Sequence, residues 1–105
     1  MHIQVVNFHL EGLSVGDFGK LCDDLAPTFA ALPGLVAKIW LSDPGANTFG
    51  GVYLWQDRKA MEDFAKTDLF RSVVSHPNFT GLASRDFAVM EGPTRATRGL
   101  LEVGV

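Results

Sequence analysis

Two polar side chains occupy positions from which they could move a proton or orient a bound molecule. His76 comes just before Pro77 at the end of a helix-like segment, and an imidazole with a pKa of about 6.5 can act as a base at neutral pH. Asn7 stands within the apolar run 2–10, where a carboxamide needs a hydrogen-bonding partner. Structural roles are open as well, because His76 could cap the helix carbonyls and Asn7 could bond a helix end.

Aromatic and cationic residues in the predicted strands could form the walls of a binding site. Tyr53 and Trp55 are two residues apart, so they share one face of a strand and could stack on a planar molecule or belong to an aromatic core. Trp40 shares a face with Lys38, and we expect the Lys38 ammonium to reach solvent with its stem lying on the indole. Trp40 itself could line a pocket or a subunit interface. Arg85 could stabilise an anionic oxygen or pair with an acid of a second subunit.

Turn residues divide residues 1–91 into six segments that must position these side chains. Ser14 predicts the start of the first helix and Pro33-Gly34 its end, while Asp57 and then Thr67 or Asp68 predict a second helix split in two. The four predicted strands are His2–Leu10, Leu35–Leu41, Phe49–Trp55 and Leu82–Met90. The resulting order β-α-β-β-α-β predicts an α+β, ferredoxin-like domain over residues 1–92 with a four-stranded antiparallel sheet. Residues 93–105 form a C-terminal tail that could pack on a partner subunit.

The predicted strands are apolar on both faces. Ile3 and Val5 lie on one side of the first strand while Val6 and Phe8 lie on the other, and the third and fourth strands show the same pattern. Two helices can cover only one face of such a sheet, and a face exposed to water would alternate apolar with polar residues. We therefore predict that a second copy of the sheet covers the other face, which gives a homodimer.

Composition excludes several classes of protein. Nine Lys and Arg against twelve Asp and Glu give a net charge of −3, which argues against binding of nucleic acid or of acidic membranes. No secretion signal or membrane span is recognisable, so a cytoplasmic location is expected. Cys22 is the single cysteine and is expected in the core, and no multi-cysteine metal site can form.

Three segments carry a resemblance to a known family. The sequence resembles the YdhR-type mono-oxygenases of the dimeric α+β barrel (antibiotic biosynthesis mono-oxygenase-like) superfamily in Pro33-Gly34-Leu35, Lys38-x-Trp40 and Gly50-Gly51-Val52-Tyr53-Leu54-Trp55-x-Asp57. The resemblance spans roughly residues 1–92. It implies two ferredoxin-like sheets packed face to face, which agrees with the apolar strands.

The resemblance also implies a chemistry. Superfamily members that oxygenate quinols or related phenols often do so without metal or flavin, so no cofactor is expected and the substrate would be a small aromatic or quinol-like metabolite. The pocket would lie between sheet and helices. In this interpretation Asn7 and His76 orient or deprotonate the substrate, and the substrate-binding residues are Trp40, Tyr53, Trp55, Phe64 and Arg85.

Two alternatives remain open. The chain could be a non-catalytic dimeric module that binds a small apolar ligand. Haem-degrading members of the superfamily carry an Asn on the first strand and a Trp and a His on the second helix. Here Asn7 matches the first position, but Phe64 and Val74 stand at the other two, so haem binding is the third alternative.

Overall fold

The computed structural model describes residues 1–100 and contains the predicted order of elements. Strands β1 to β4 and helices α1 to α3 follow one another as β-α-β-β-α-β with the second helix split, which confirms the ferredoxin-like topology. A short C-terminal helix, α4, follows the last strand. The elements are β1 His2–Leu10, α1 Val15–Ala30, β2 Leu35–Asp43, a 3₁₀ turn Pro44–Ala46, β3 Thr48–Trp55, α2 Arg58–Phe64, α3 Asp68–Val74, β4 Phe79–Ala88 and α4 Glu91–Ala96.

Side-chain caps begin the three main helices at the predicted residues. The Ser14 hydroxyl accepts the backbone N–H three residues later at 3.1 Å, and the Asp57 carboxylate does the same at 2.8 Å. Thr67, rather than Asp68, caps α3, and its hydroxyl accepts the backbone N–H of Phe70 at 3.1 Å. Each cap satisfies one backbone N–H that would otherwise have no partner in the first helical turn.

The strands form one antiparallel sheet in the order β2-β3-β1-β4. Residues directly opposite each other in an antiparallel pair point to the same face, so the register assigns every side chain to a face. Gln4 lies opposite Tyr53, which lies opposite Lys38, and this row faces the helices. Val5 lies opposite Val52, which lies opposite Ile39, and that row points away from the helices. We call the second surface the open face.

The C-terminal part of the fold differs from the prediction. Strand β4 runs from Phe79 to Ala88 rather than from Leu82 to Met90, and α4 begins at Glu91. Gly92-Pro93 was expected to close the domain. Proline is tolerated in the first turn of a helix, however, because its missing N–H would have no helical partner there.

The open face is apolar and largely uncovered. Ile39 is 62% exposed and Phe87 is 54% exposed, although both are large hydrophobic residues. Helix α4 and the residues up to Leu100 border an open depression of about 760 Å³ at one end of this face. Of the predicted tail, residues 93–100 are mostly exposed and border this depression, and residues 101–105 lie outside the described range. None of the helices within residues 1–100 has the length and apolar character needed to cross a membrane.

Candidate functional site

Aromatic side chains fill the space between the helices and the sheet. Trp55 is fully buried, lies parallel to Tyr53 at a ring-centroid distance of 5.8 Å, and donates its indole N–H to the Gln4 side-chain oxygen at 3.0 Å. Phe64 packs 5.2 Å from the Trp55 ring and 5.5 Å from the Tyr53 ring. Trp55 and Phe64 were predicted to bind substrate, but neither lines the cavity described next, since both lie in the core around Tyr53.

A small cavity of about 40 Å³, partly open to the surface, lies between α1 and the sheet. Its walls are largely apolar and include six aromatic residues, with Trp40 and Tyr53 among them. Two side chains with titratable groups, Cys22 and Lys38, also line it. The aromatic wall residues are Phe8, Phe18, Phe29, Trp40, Tyr53 and Phe79.

The Lys38 amine lies among three aromatic rings. Its Nζ is 3.3 Å from the ring centroid of Trp40, 3.5 Å from that of Phe29 and 4.7 Å from that of Tyr53. Lys38 lies on Trp40 as expected, but its amine stays over the Trp40 and Phe29 rings instead of extending past them into solvent. Aromatic faces attract a cation and offset part of the cost of taking it out of water.

Burial governs the protonation of the groups around this amine. Removal from water lowers the pKa of Lys38 to about 7 from its ordinary 10.5, with a smaller opposing effect from the Cys22 sulfur. Burial also raises the pKa of the Cys22 thiol and that of the Tyr53 hydroxyl. At neutral pH the cavity thus holds an amine close to its titration midpoint beside a protonated phenol and a protonated thiol.

Gly51 provides the room that the lysine side chain occupies. A Cβ at this position would lie 2.8 Å from Cε of Lys38 and 3.6 Å from a ring carbon of Tyr53. Gly51 lies opposite Trp40 in the sheet, two positions along from the Lys38–Tyr53 pair and on the same face. The Gly-Gly pair in the sequence therefore has a local purpose, since the second glycine admits the amine between the rings.

Two predicted site residues lie on the open face of the sheet, away from the helices. Asn7 lies opposite Gly50 and Ala83, in the rows that point away from the helices, and Arg85 lies opposite Val5 on the same open face. The burial of β1 alternates accordingly, with residues 2, 4, 6 and 8 buried and Asn7 only half-buried. The expectation that these two side chains project into the pocket between sheet and helices is wrong, because strand alternation turns both away from it.

His76 is separated from the cavity by an aromatic ring. Its imidazole stacks on Phe79 at 4.1 Å, and Phe8 stacks on the same ring at 4.2 Å, so the two lie on opposite faces of Phe79. Nδ1 of His76 accepts the backbone N–H of Asn78 at 3.2 Å. In the neutral imidazole this bond uses the free lone pair and leaves the hydrogen on Nε2. The ring therefore binds the turn after α3 and stacks on Phe79, and it does not reach the predicted pocket as a base.

A surface groove leads towards the cavity. It lies between α1 and β2, has a volume of about 440 Å³, and shares Phe18, Cys22 and Trp40 with the cavity wall. Trp40 therefore separates the inner space from the groove.

No group of three or more His, Cys, Asp or Glu side chains within residues 1–100 is arranged to hold a metal ion.

Lys38 is the site residue that the sequence analysis missed. The sequence contained a signal for it. Lys38 is two residues from Trp40 and so shares its face of the strand, and the neighbouring strand carries Gly50 and Gly51, whose missing side chains leave space on the sheet.

Solved structures similar to this one establish the fold. The heme-degrader MhuD from Mycobacterium tuberculosis, solved with two hemes in its active site, is 17% identical, with a TM-score of 0.68 over 86% of this chain and 96% of that one. SnoaB from Streptomyces nogalater, a cofactor-independent oxygenase, is 19% identical, with a TM-score of 0.65 over 84% and 92%. An antibiotic biosynthesis monooxygenase, so described, from Deinococcus radiodurans is 15% identical, with a TM-score of 0.69 over 85% and 92%.

No curated protein matches the chain in sequence. One family of sequences does match, over residues 3–100, and so continues past the boundary that Gly92-Pro93 suggested. That span is almost the whole chain, and it includes the cavity with Lys38. The chain belongs to the family described as "Putative mono-oxygenase ydhR".

Proposed function

We propose that the protein is a mono-oxygenase that acts on a small, electron-rich phenol or quinol without a bound prosthetic group. The observation that carries this proposal is the aromatic cavity between α1 and the sheet, which holds one amine, Lys38. Family membership supports oxygenation, and the cofactor-independent oxygenase SnoaB shares the fold.

The proposed reaction needs little from the protein besides a dry, shaped site. Aromatic walls hold a planar ring and exclude water, and the protonated Tyr53 hydroxyl can donate a hydrogen bond to a substrate oxygen. For a phenolic substrate with an activated methylene group, as in an anthrone, one O₂ supplies the oxygen of the new carbonyl. The other oxygen leaves as water with the two methylene hydrogens, so no external reductant is needed.

Binding requires the cavity to expand. A volume of about 40 Å³ holds water molecules, whereas a cavity that binds benzene measures about 150 Å³. Displacement of the Trp40 side chain would join the cavity to the groove of about 440 Å³ outside it. We infer that substrate enters between α1 and β2. Its ring then replaces part of the contact between the Trp40 ring and the Lys38 amine.

The quaternary structure is part of the proposal. The open face carries exposed Ile39 and Phe87 on the two edge strands, with Val5 and Val52 between them. A second copy packed face to face would remove this apolar surface from water and so form a homodimer. Arg85 and Asn7 would then lie at the subunit interface rather than in the substrate pocket.

Oxygen consumption by metal-free protein tests the function. A panel of quinols and anthrones should give turnover above the rate in buffer, with the protein recovered unchanged. Binding of the same compounds without oxygen uptake would instead indicate the non-catalytic binding module.

Haem binding has a separate test. Phe64 is enclosed in the aromatic core and Val74 is exposed on α3, so neither supplies the stacking indole or the iron ligand of the haem-degrading proteins. Haemin added to the protein should leave its Soret band unshifted.

A further inference from the structure

We propose that Lys38 is the base that removes the phenolic proton of the substrate and then holds the phenolate as an ion pair. This inference rests on the function proposed above, because it assigns a catalytic residue and an acidic hydroxyl to the same cavity. The proton moves from the substrate O–H to the neutral Lys38 amine, which gives a phenolate and an ammonium. No other reactant takes part in the step.

The surroundings of Nζ favour an acidic ligand. Within residues 1–100, the ion pairs and side-chain hydrogen bonds do not include Lys38. Its Nζ lies on aromatic faces and keeps some contact with solvent, so its N–H groups are free to bind an acidic ligand. An ammonium donates three hydrogen bonds and accepts none. The oxygen of a phenolate would accept hydrogen bonds from this ammonium. When Trp40 is displaced, the substrate ring would replace the contact between the Trp40 ring and the Lys38 amine.

The titratable groups that face the amine leave it available as a base. They are Cys22 from α1 and Tyr53 from β3, and burial keeps both protonated. Lys38 itself has a pKa of about 7, so much of the amine is neutral at neutral pH and can accept a proton. A base is most effective when its pKa is close to the working pH.

Two variants of Lys38 separate its charge from its basicity, and a third variant is the control. Lys38→Met removes both, since a thioether packs well among aromatic rings but carries no charge. Lys38→Arg keeps the positive charge, but a guanidinium does not release its proton and cannot act as a base. Lys66→Met is the matched control, because that lysine is exposed on the surface.

Two readouts are needed, and one of them is independent of turnover. A nitrophenol, which absorbs visible light only when ionised, should bind to the wild-type protein as the phenolate, with its apparent pKa lowered by at least one unit. Lys38→Arg should retain this shift and Lys38→Met should abolish it. With an oxidisable quinol, both variants should lose 10²- to 10⁴-fold in kcat/KM, and Lys66→Met should match the wild type in both assays.

Each remaining outcome overturns one of the two proposals. An unchanged pKa of the bound nitrophenol in Lys38→Met would show that the amine does not bind the phenolate. Full turnover by Lys38→Arg would show that it is not the base. A Lys38-dependent shift of the nitrophenol in a wild-type protein that consumes no oxygen with any substrate would retain the binding site and refute the oxygenase.

Discussion

Replacing Lys38 with methionine should stabilise the protein, and the gain should depend on pH. The folded protein removes the amine in part from water among Phe29, Trp40 and Tyr53, whereas the unfolded chain leaves it fully solvated. The folded state therefore binds this proton less tightly, with a pKa of about 7 against the ordinary 10.5. Between these two values the unfolded state binds more protons, so the stability of the wild type rises with pH in this window.

The size of the effect follows from the two pKa values. Their difference corresponds to about 5 kcal/mol at low pH, at roughly 1.4 kcal/mol for each unit. Below about pH 7 the amine is protonated in both states and the penalty is constant. Above that it falls by roughly 1.4 kcal/mol per pH unit, so the advantage of Lys38→Met should shrink by about 2.5 kcal/mol between pH 6 and pH 9.

Chemical denaturation at pH 6, 7, 8 and 9 measures this difference. Wild type and variant are compared at the same protein concentration, since any dimerisation makes stability depend on concentration. All other titrating groups are common to both proteins and cancel in the difference, and Lys66→Met should run parallel to the wild type at every pH. A free-energy difference between Lys38→Met and wild type that stays constant across the range would refute the reasoning, since the amine would then be solvated in the folded state.

Three further predictions test separate parts of the structure. Gly51→Ala should move the Lys38 amine away from the aromatic rings, because the new Cβ would lie 2.8 Å from Cε. The temperature of thermal unfolding should then change by a few degrees only, while the bound nitrophenol loses its pKa shift. Gln4→Leu leaves the buried indole N–H of Trp55 without an acceptor and should destabilise the protein by about 2 kcal/mol, measured by denaturant unfolding. Ile39→Glu puts a charge on the open face and should convert a dimer to a monomer in sedimentation; an unchanged molecular mass, with native circular dichroism, would contradict face-to-face pairing.

Local signals made the fold predictable. Ser14, Asp57 and Thr67 begin helices because their side chains accept the backbone N–H groups of the first turn, an interaction encoded within four residues. The strand boundaries of β1 and the start of β2 follow from apolar runs between turns. The prediction failed at Gly92-Pro93, where the same two residues can end a segment or enter the first turn of a helix.

The site was less predictable, because it depends on strand register. Asn7 and Tyr53 were assigned to one pocket, but Tyr53 lies opposite Gln4 and Asn7 lies opposite Gly50, so the two point to different faces. A shift of one residue reverses the face of every side chain in a strand, and nothing in the sequence of a single strand fixes which face receives the helices. The prediction for His76 failed for a different reason, since its ring stacks on Phe79, a residue that lies before the predicted strand Leu82–Met90 but inside the observed β4.

The position of Lys38 argues that the cavity serves a purpose beyond packing. A methionine or leucine would fill the same space without the cost of removing an amine from water, which amounts to several kcal/mol here. The structure adds a second cost, because Gly51 gives up a side chain in the interior of β3 to make room for this amine. These two unfavourable choices lie on the same face of the sheet and leave a basic group against aromatic rings. A site for an acidic aromatic molecule requires such a group, whereas a core built for stability alone would need neither choice.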